Sequence, residues 1–178
     1  MDEAKKKKIL REIIEWLALF ACALALYLII HFFVFEIAIV DGTSMLPTLS
    51  HNERVVVVKV PYLFGEPQRG DIVAFPYAND PSRFFVKRVI GVPGDVISAD
   101  TEGIYVNGEF LDDAFAETPP ITKGDADYPV YVPEGSFFVM GDNRSGSFDS
   151  RYSSVGVVSG DDFIGKVMLR FPNLRLIE

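Results

Sequence analysis

The run Phe84-Phe-Val-Lys87-Arg88-Val-Ile-Gly-Val-Pro-Gly-Asp95 decides the fold. Its first seven residues are aromatic, β-branched or long-chain and hold no Gly or Pro. The next five contain two Gly, a Pro and an Asp, the punctuation of a turn. This is a strand followed by a turn, not part of a helix. In a strand, alternation puts Lys87 on the face of Phe85 and Val89, and Arg88 on the face of Val86 and Ile90. A lysine aimed among aromatic and branched side chains is penalised in its charged form, which lowers its pKa and makes it a usable base.

The same punctuation recurs outward in both directions. Ile37–Val40, Arg54–Val60, Asp71–Phe75, Val96–Ala99, Ile104–Val106, Pro129–Val132, Phe137–Met140 and Phe163–Phe171 read as further strands, and Asn107-Gly108 marks a hairpin. The body of the chain is therefore mainly β. Leu111–Asp127, with Pro119-Pro120 and several acids, reads as a loop-rich insertion.

Before the strands, Trp16–Phe35 contains no Asp, Glu, Lys or Arg, and as a helix it spans a hydrocarbon core of ~30 Å. Lys5 to Lys8 and Arg11 precede it, so the positive-inside tendency keeps the N-terminus cytoplasmic. The run exceeds the ~7–15 apolar residues of a cleavable signal peptide, and its small-residue triplets lie within it instead of after it. The expected organisation is a basic cytoplasmic segment (1–11), a transmembrane anchor helix (12–35) and an extracytoplasmic β domain (36–178).

Of the 178 residues only one is cysteine, Cys22, and it lies in the apolar run, so no disulfide or thiolate metal site is available to the β body. His31 and His51 are the two histidines, one in the apolar run and one in a turn, and no cluster of zinc-ligand type is visible. Net charge is −8, and since the first eleven residues are basic the remainder is more acidic still, which argues against nucleic acid.

Two further stretches carry chemistry. Asp41-Gly-Thr-Ser44-Met-Leu-Pro47-Thr-Leu49 places a serine in a turn freed by Gly42 and directed by Pro47, and Met140-Gly-Asp-Asn-Arg144-Ser-Gly-Ser147-Phe-Asp149-Ser-Arg151 is a polar, turn-rich loop. A serine hydroxyl needs a base to attack an amide. His51, in a Ser-His-Asn-Glu turn, has the surroundings of a solvated residue, so Lys87 is the stronger candidate. Ser147 has the chemistry to aim a lysine nitrogen, and Asp149 and Arg151 are spaced to pair. Asp142 and Arg144 read as scaffold. Pro61-Tyr-Leu-Phe64 is apolar for a loop, and it either folds into the core or dips into a membrane interface.

Ser44-Met-x-Pro-Thr-Leu, Arg69-Gly-Asp-Ile-Val-Ala-Phe75, Lys87-Arg-Val-Ile-Gly-Val-Pro-Gly-Asp95 and Gly141-Asp-Asn-Arg-x-x-Ser147-x-Asp149-Ser-Arg151 resemble the successive boxes of bacterial type I signal peptidases. Their order, the preceding apolar run and the chain length also match. The resemblance implies a membrane-bound serine endopeptidase of the cytoplasmic membrane that removes signal peptides from exported preproteins after small residues, without metal or cofactor. It implies Ser44 as nucleophile, Lys87 as general base, Ser147 as the residue orienting Lys87, Asp149 and Arg151 as a supporting pair, and Arg88 as structural neighbour of the base. The implied fold is an antiparallel β catalytic domain of the signal peptidase and LexA-like type, with a small β insertion at about 100–130 whose shortness resembles the compact Gram-positive enzymes. Implied partners are secretory preproteins, the bilayer and the protein-export translocon, with no nucleic acid. Where some members place an oxyanion-hole serine two residues before the nucleophile, this chain has Gly42. A LexA-like self-cleaving protease is the nearest alternative, but those proteins carry a DNA-binding helical domain. An anchored β domain that binds partners without catalysis is the alternative from another class.

Overall fold

The computed structural model describes residues 3–77, 80–112 and 122–177. The chain opens with one 31-residue helix, α1 (Glu3–Phe33), which over Lys5–Ile30 is long and apolar enough to cross a membrane and buries none of that span against the rest of the protein. It starts earlier than expected, because Lys5–Lys8 and Arg11 are good helix formers and are braced by Lys6–Glu3 and Arg11–Glu15 pairs one turn apart. It also ends earlier, at Phe33, since Phe35 already belongs to a strand. The His31 side chain lies outside the described residues.

The strands follow as β1 (Phe35–Ile39), β2 (Arg54–Val58), β3 (Ile72–Tyr77), β4 (Asp80–Gly91), β5 (Val96–Ala99), β6 (Ile104–Val106), β7 (Glu109–Phe110), β8 (Val130–Tyr131), β9 (Ser136–Met140), β10 (Val158–Ser159), β11 (Gly165–Phe171) and β12 (Arg175–Leu176), with a short helix α2 (Pro61–Phe64) between β2 and β3. All nine predicted strands are present. Two two-residue strands were not anticipated, β10 and β12, which are too short to show a period, while β7 is the second arm of the expected Asn107-Gly108 hairpin.

The main sheet runs β1-β2-β11-β3-β4-β9-β10, with β12 on β11, and the second sheet runs β7-β6-β5-β8. The second sheet begins at Val96, slightly before the insertion expected from about 100, and residues 113–121 of the predicted loop lie outside the described residues. Asn107 and Gly108 both take positive φ, 55° and 83°, as the predicted Asn-Gly hairpin requires. The two sheets are joined by Asp95, which accepts from Arg69 Nη2 at 2.9 Å, from the Val92 N–H at 2.7 Å and from Asn107 Nδ2 at 2.8 Å.

β3 is buried on both faces. Ile72 and Ala74 pack with Val40, Met45, Leu49, Val55, Val57 and Val167, while Val73 and Phe75 pack with Val89, Phe137, Val139 and Phe163. β9 does the same, sending Phe138 and Met140 to the core of the second sheet with Ile97, Ile104 and Val132. This two-sided burial explains the continuous apolar runs in both strands, each such side chain contributing roughly 1.5–3 kcal/mol.

Two of the strand edges without a partner among the described residues lie in the main sheet next to the turn that follows β1. β1 bonds only to β2, and the Phe84–Lys87 part of β4 bonds only to β3, because β9 joins β4 no earlier than Arg88. Pro61–Phe64 splits the two expectations: Tyr62 turns inward to Phe163 and donates to Asp71 Oδ2 at 3.1 Å, while Leu63 and Phe64 point outward, Phe64 with 89% of its surface exposed.

Candidate active site

The turn after β1 is pinned before it presents its serine. Val40, Met45 and Leu49 are buried in the core between β2, β3 and β11, and the Val40 N–H and carbonyl bond to Glu53 O and the Asn52 N–H, each at 2.8 Å. Gly42 has φ +102°, which releases the chain to reverse direction here. Ser44 follows, half-buried, and its carbonyl accepts from the Asn143 N–H at 3.0 Å while Asn143 Nδ2 donates to Thr43 O at 3.1 Å. Among the described residues the Ser44 N–H has no acceptor. His51 lies beside this turn with its Nδ1 accepting the Gly42 N–H at 3.1 Å, and its side chain is half exposed. It braces the turn from the outside.

Lys87 comes from the middle of β4, opposite Val73, and only 3% of its surface is exposed. Its Nζ lies 2.7 Å from Ser44 Oγ and 5.0 Å from the centre of the Phe85 ring, on the face that strand alternation assigned to it. Burial lowers its pKa from the usual lysine range to about 8. Asp149 and Asp142 pull it back up, and Arg151 pushes it down. About one tenth of the lysine is then neutral at pH 7, against well under a thousandth for an ordinary lysine. In that form the short contact carries the Ser44 O–H to the nitrogen lone pair.

Two buried carboxylate–guanidinium pairs enclose this contact. Arg88, next to Lys87, meets Asp142 through Nε at 2.9 Å and Nη2 at 2.8 Å, and Asp142 also accepts from the Thr48 hydroxyl in the serine's own turn. Asp149 takes Arg151 Nε at 2.8 Å and Nη2 at 2.9 Å. Ser147 donates its hydroxyl to Asp149 Oδ2 at 2.5 Å, and no Ser147–Lys87 hydrogen bond is present among the described residues. With its hydrogen committed, Ser147 Oγ can meet an ammonium only as an acceptor. Gly141 stands where the two halves meet. Its N–H donates to Asp149 Oδ2 at 2.9 Å, and a Cβ there would lie 2.3 Å from Ser147 Oγ and 2.4 Å from the Ser44 carbonyl.

A cleft of about 430 Å³ opens over the serine, lined by Ala38 and Ile39 of β1, by Val40 and Ser44 of the turn after it, by Phe84–Lys87 of β4 and by Phe148. Both unpaired edges face it, so an extended peptide laid here finds free backbone donors and acceptors on either side. The structure thus brings together Ser44, Lys87, Arg88, Ser147, Asp149 and Arg151 and leaves His51 at the margin. Sequence reasoning passed over Gly141, Asn143 and Thr48. The turn signal at Gly141-Asp-Asn was visible, but its contact with the Ser44 carbonyl spans nearly a hundred residues.

A serine hydroxyl against a buried amine, in a cleft lined by two strand edges, has the parts of a serine hydrolase acting on extended chains. The signal peptidase family model, peptidase S26, matches residues 13–172. Over 183 aligned positions the chain is 36% identical to signal peptidase I P of Bacillus subtilis subsp. natto, covering 98% of this chain and 97% of that one. It is 40% identical to signal peptidase I of Bacillus licheniformis, covering 85% and 84%. A crystal structure of a signal peptidase I from Enterococcus faecalis V583 superposes with a TM-score of 0.50 at 32% identity, over 58% of this chain and 98% of that one. The chain belongs to the signal peptidase family, serine endopeptidases that cleave signal peptides.

Proposed function

We propose that Ser44 and Lys87 form the nucleophile–base dyad of a membrane-anchored signal peptidase, with α1 crossing the cytoplasmic membrane, Lys5–Lys8 on the cytoplasmic side and the β domain outside. The observation that carries the dyad is the 2.7 Å contact between Ser44 Oγ and a lysine nitrogen that burial keeps partly neutral. The cleavage region of a preprotein lies extended between β1 and Phe84–Lys87, with small residues before the scissile bond. Ser44 Oγ attacks the carbonyl carbon while Lys87 Nζ takes its proton. The Ser44 N–H donates to the developing oxyanion, an interaction worth about 2.7–4 kcal/mol where such donors have been removed. Lys87 then delivers the proton to the leaving amine, and a water activated by the same nitrogen hydrolyses the acyl-enzyme. Ser147, held by Asp149 and Arg151, orients Lys87. Leu63 and Phe64, exposed and apolar, rest against lipid near the end of the anchor.

The test is cleavage of a secretory preprotein in detergent micelles by the full-length protein and by Ser44→Ala and Lys87→Ala, each shown folded by circular dichroism. Processing by the wild type alone is the expected result. Processing kept by Lys87→Ala transfers the base role to another group and ends the dyad assignment.

A further inference from the structure

Arg151 is fully buried behind the Ser44–Lys87 contact, so its guanidinium donors need acceptors. Its own loop provides for Nε and Nη2 through Asp149 and, at 3.3 Å, the carbonyl of Ser147. Nη1 instead reaches the carbonyl of Thr122, 2.8 Å away in the connection between β7 and β8 of the second sheet. That segment is fastened to the same loop twice more. The Ala126 N–H donates to Arg151 O at 2.9 Å, and the Ser153 N–H donates to Asp125 Oδ1 at 2.6 Å. Between these ties sits Gly124, with φ +74°. A Cβ there would fall 2.0 Å from Arg151 O and 2.7 Å from its carbonyl carbon. The obstacle is backbone, which cannot rotate aside as a side chain can.

We propose that residues 122–126 are a strap that positions the catalytic lysine through Arg151, Asp149 and Ser147, with Gly124 as the residue that lets the strap close. The second sheet's long connection then serves the reaction as well as the fold. Displacement of Arg151 travels by short steps. Asp149 Oδ2 holds both the Ser147 hydroxyl and the Gly141 N–H, and Gly141 abuts the Ser44 carbonyl. The charged groups acting on Lys87 are Asp149, Arg151 and Asp142, the last neutralised by Arg88. Moving Arg151 away and admitting water weakens both influences that hold the lysine pKa down, so the pKa rises.

The inference rests on Lys87 as the base and is read from the pH dependence of processing. Full-length Gly124→Ala, in detergent micelles from about pH 6 to about pH 10, is expected to lose about tenfold in kcat at neutral pH with KM unchanged. The acid limb of its profile moves upward by about half a pH unit or more. Gly135→Ala is the matched control, since Gly135 has φ +69° and open space at its Cβ, so it carries the same backbone strain without touching Arg151. It keeps the wild-type limb. Asp125→Ala, which removes one tie and adds no clash, moves the limb the same way by less. A folded Gly124→Ala with wild-type kcat and limb overturns the strap, as does an equal shift in Gly135→Ala. If Gly124→Ala does not fold, an unmoved limb in Asp125→Ala overturns it. Wild-type activity in Lys87→Ala brings down the dyad itself, whereas a lysine-dependent limb indifferent to the strap removes only this inference.

Discussion

Arg88–Asp142 and Arg151–Asp149 are both buried, both bidentate, and placed on either side of one serine–lysine contact, yet they hold different things. The first joins residues 54 apart, and by accepting the Thr48 hydroxyl it ties the serine's turn to the strand that carries the lysine. The second joins residues two apart and shapes a single loop, gathering Ser147 and the Gly141 N–H onto one carboxylate. One pair sets where the serine is, and the other shapes the loop beneath the lysine. The local pair follows from spacing in the chain, while the distant one exists only after the sheet has formed.

Gly141, shared by both halves, is where the comparison breaks hardest. Gly141→Ala pushes at once on Ser147 Oγ and the Ser44 carbonyl, and kcat for preprotein cleavage is expected to fall about 10²-fold or more with the fold retained by circular dichroism. Asp142→Ala and Asp149→Ala each strand a buried guanidinium. Each is expected to cost roughly 3–5 kcal/mol of stability, measured by urea unfolding. Their pH profiles separate them. Asp149 pulls the Lys87 pKa upward more than Asp142 does, so Asp149→Ala moves the acid limb further toward low pH. Equal movement in both erases the division of labour drawn above.

The smallest effect concerns the wild type. With the lysine pKa near 8, kcat/KM is expected to rise about tenfold between pH 7 and pH 9, and a flat profile contradicts a lysine base. The folded protein then binds fewer protons than the unfolded chain from about pH 8 to about pH 10.4, so stability increases with pH across that window. Below it the buried charge costs roughly 3 kcal/mol, and Lys87→Met is expected to raise the melting temperature at pH 7.

Much of the fold was legible because its causes are local. Strand periodicity, the Asn-Gly hairpin and the uncharged run at the N-terminus each depend on neighbours in the chain. Errors arose where a local cause was absent or was outweighed. The N-terminal helix extends back through the lysines by propensity, and β10 and β12 are pairs of residues recruited by a longer strand. α2 divides its aromatic residues between core and surface in a way that composition does not encode. At the site, the spacing paired Asp149 with Arg151, but that Asp149 also holds the Ser147 hydroxyl, at 2.5 Å, appears only in the folded loop.

The sequence by itself determined that a serine turn, a lysine on an apolar strand and a paired Asp–Arg loop exist here behind an apolar helix, since residue type and short-range pattern are enough to specify each. Tertiary structure alone decided that Lys87 Nζ reaches Ser44 Oγ, that Gly141 can bear no side chain, that two strand edges stay open across one cleft, and that Gly124 of a distant loop closes over Arg151. Those contacts depend on distances between segments far apart in the chain, and close packing fixes such distances only when the whole β domain has assembled.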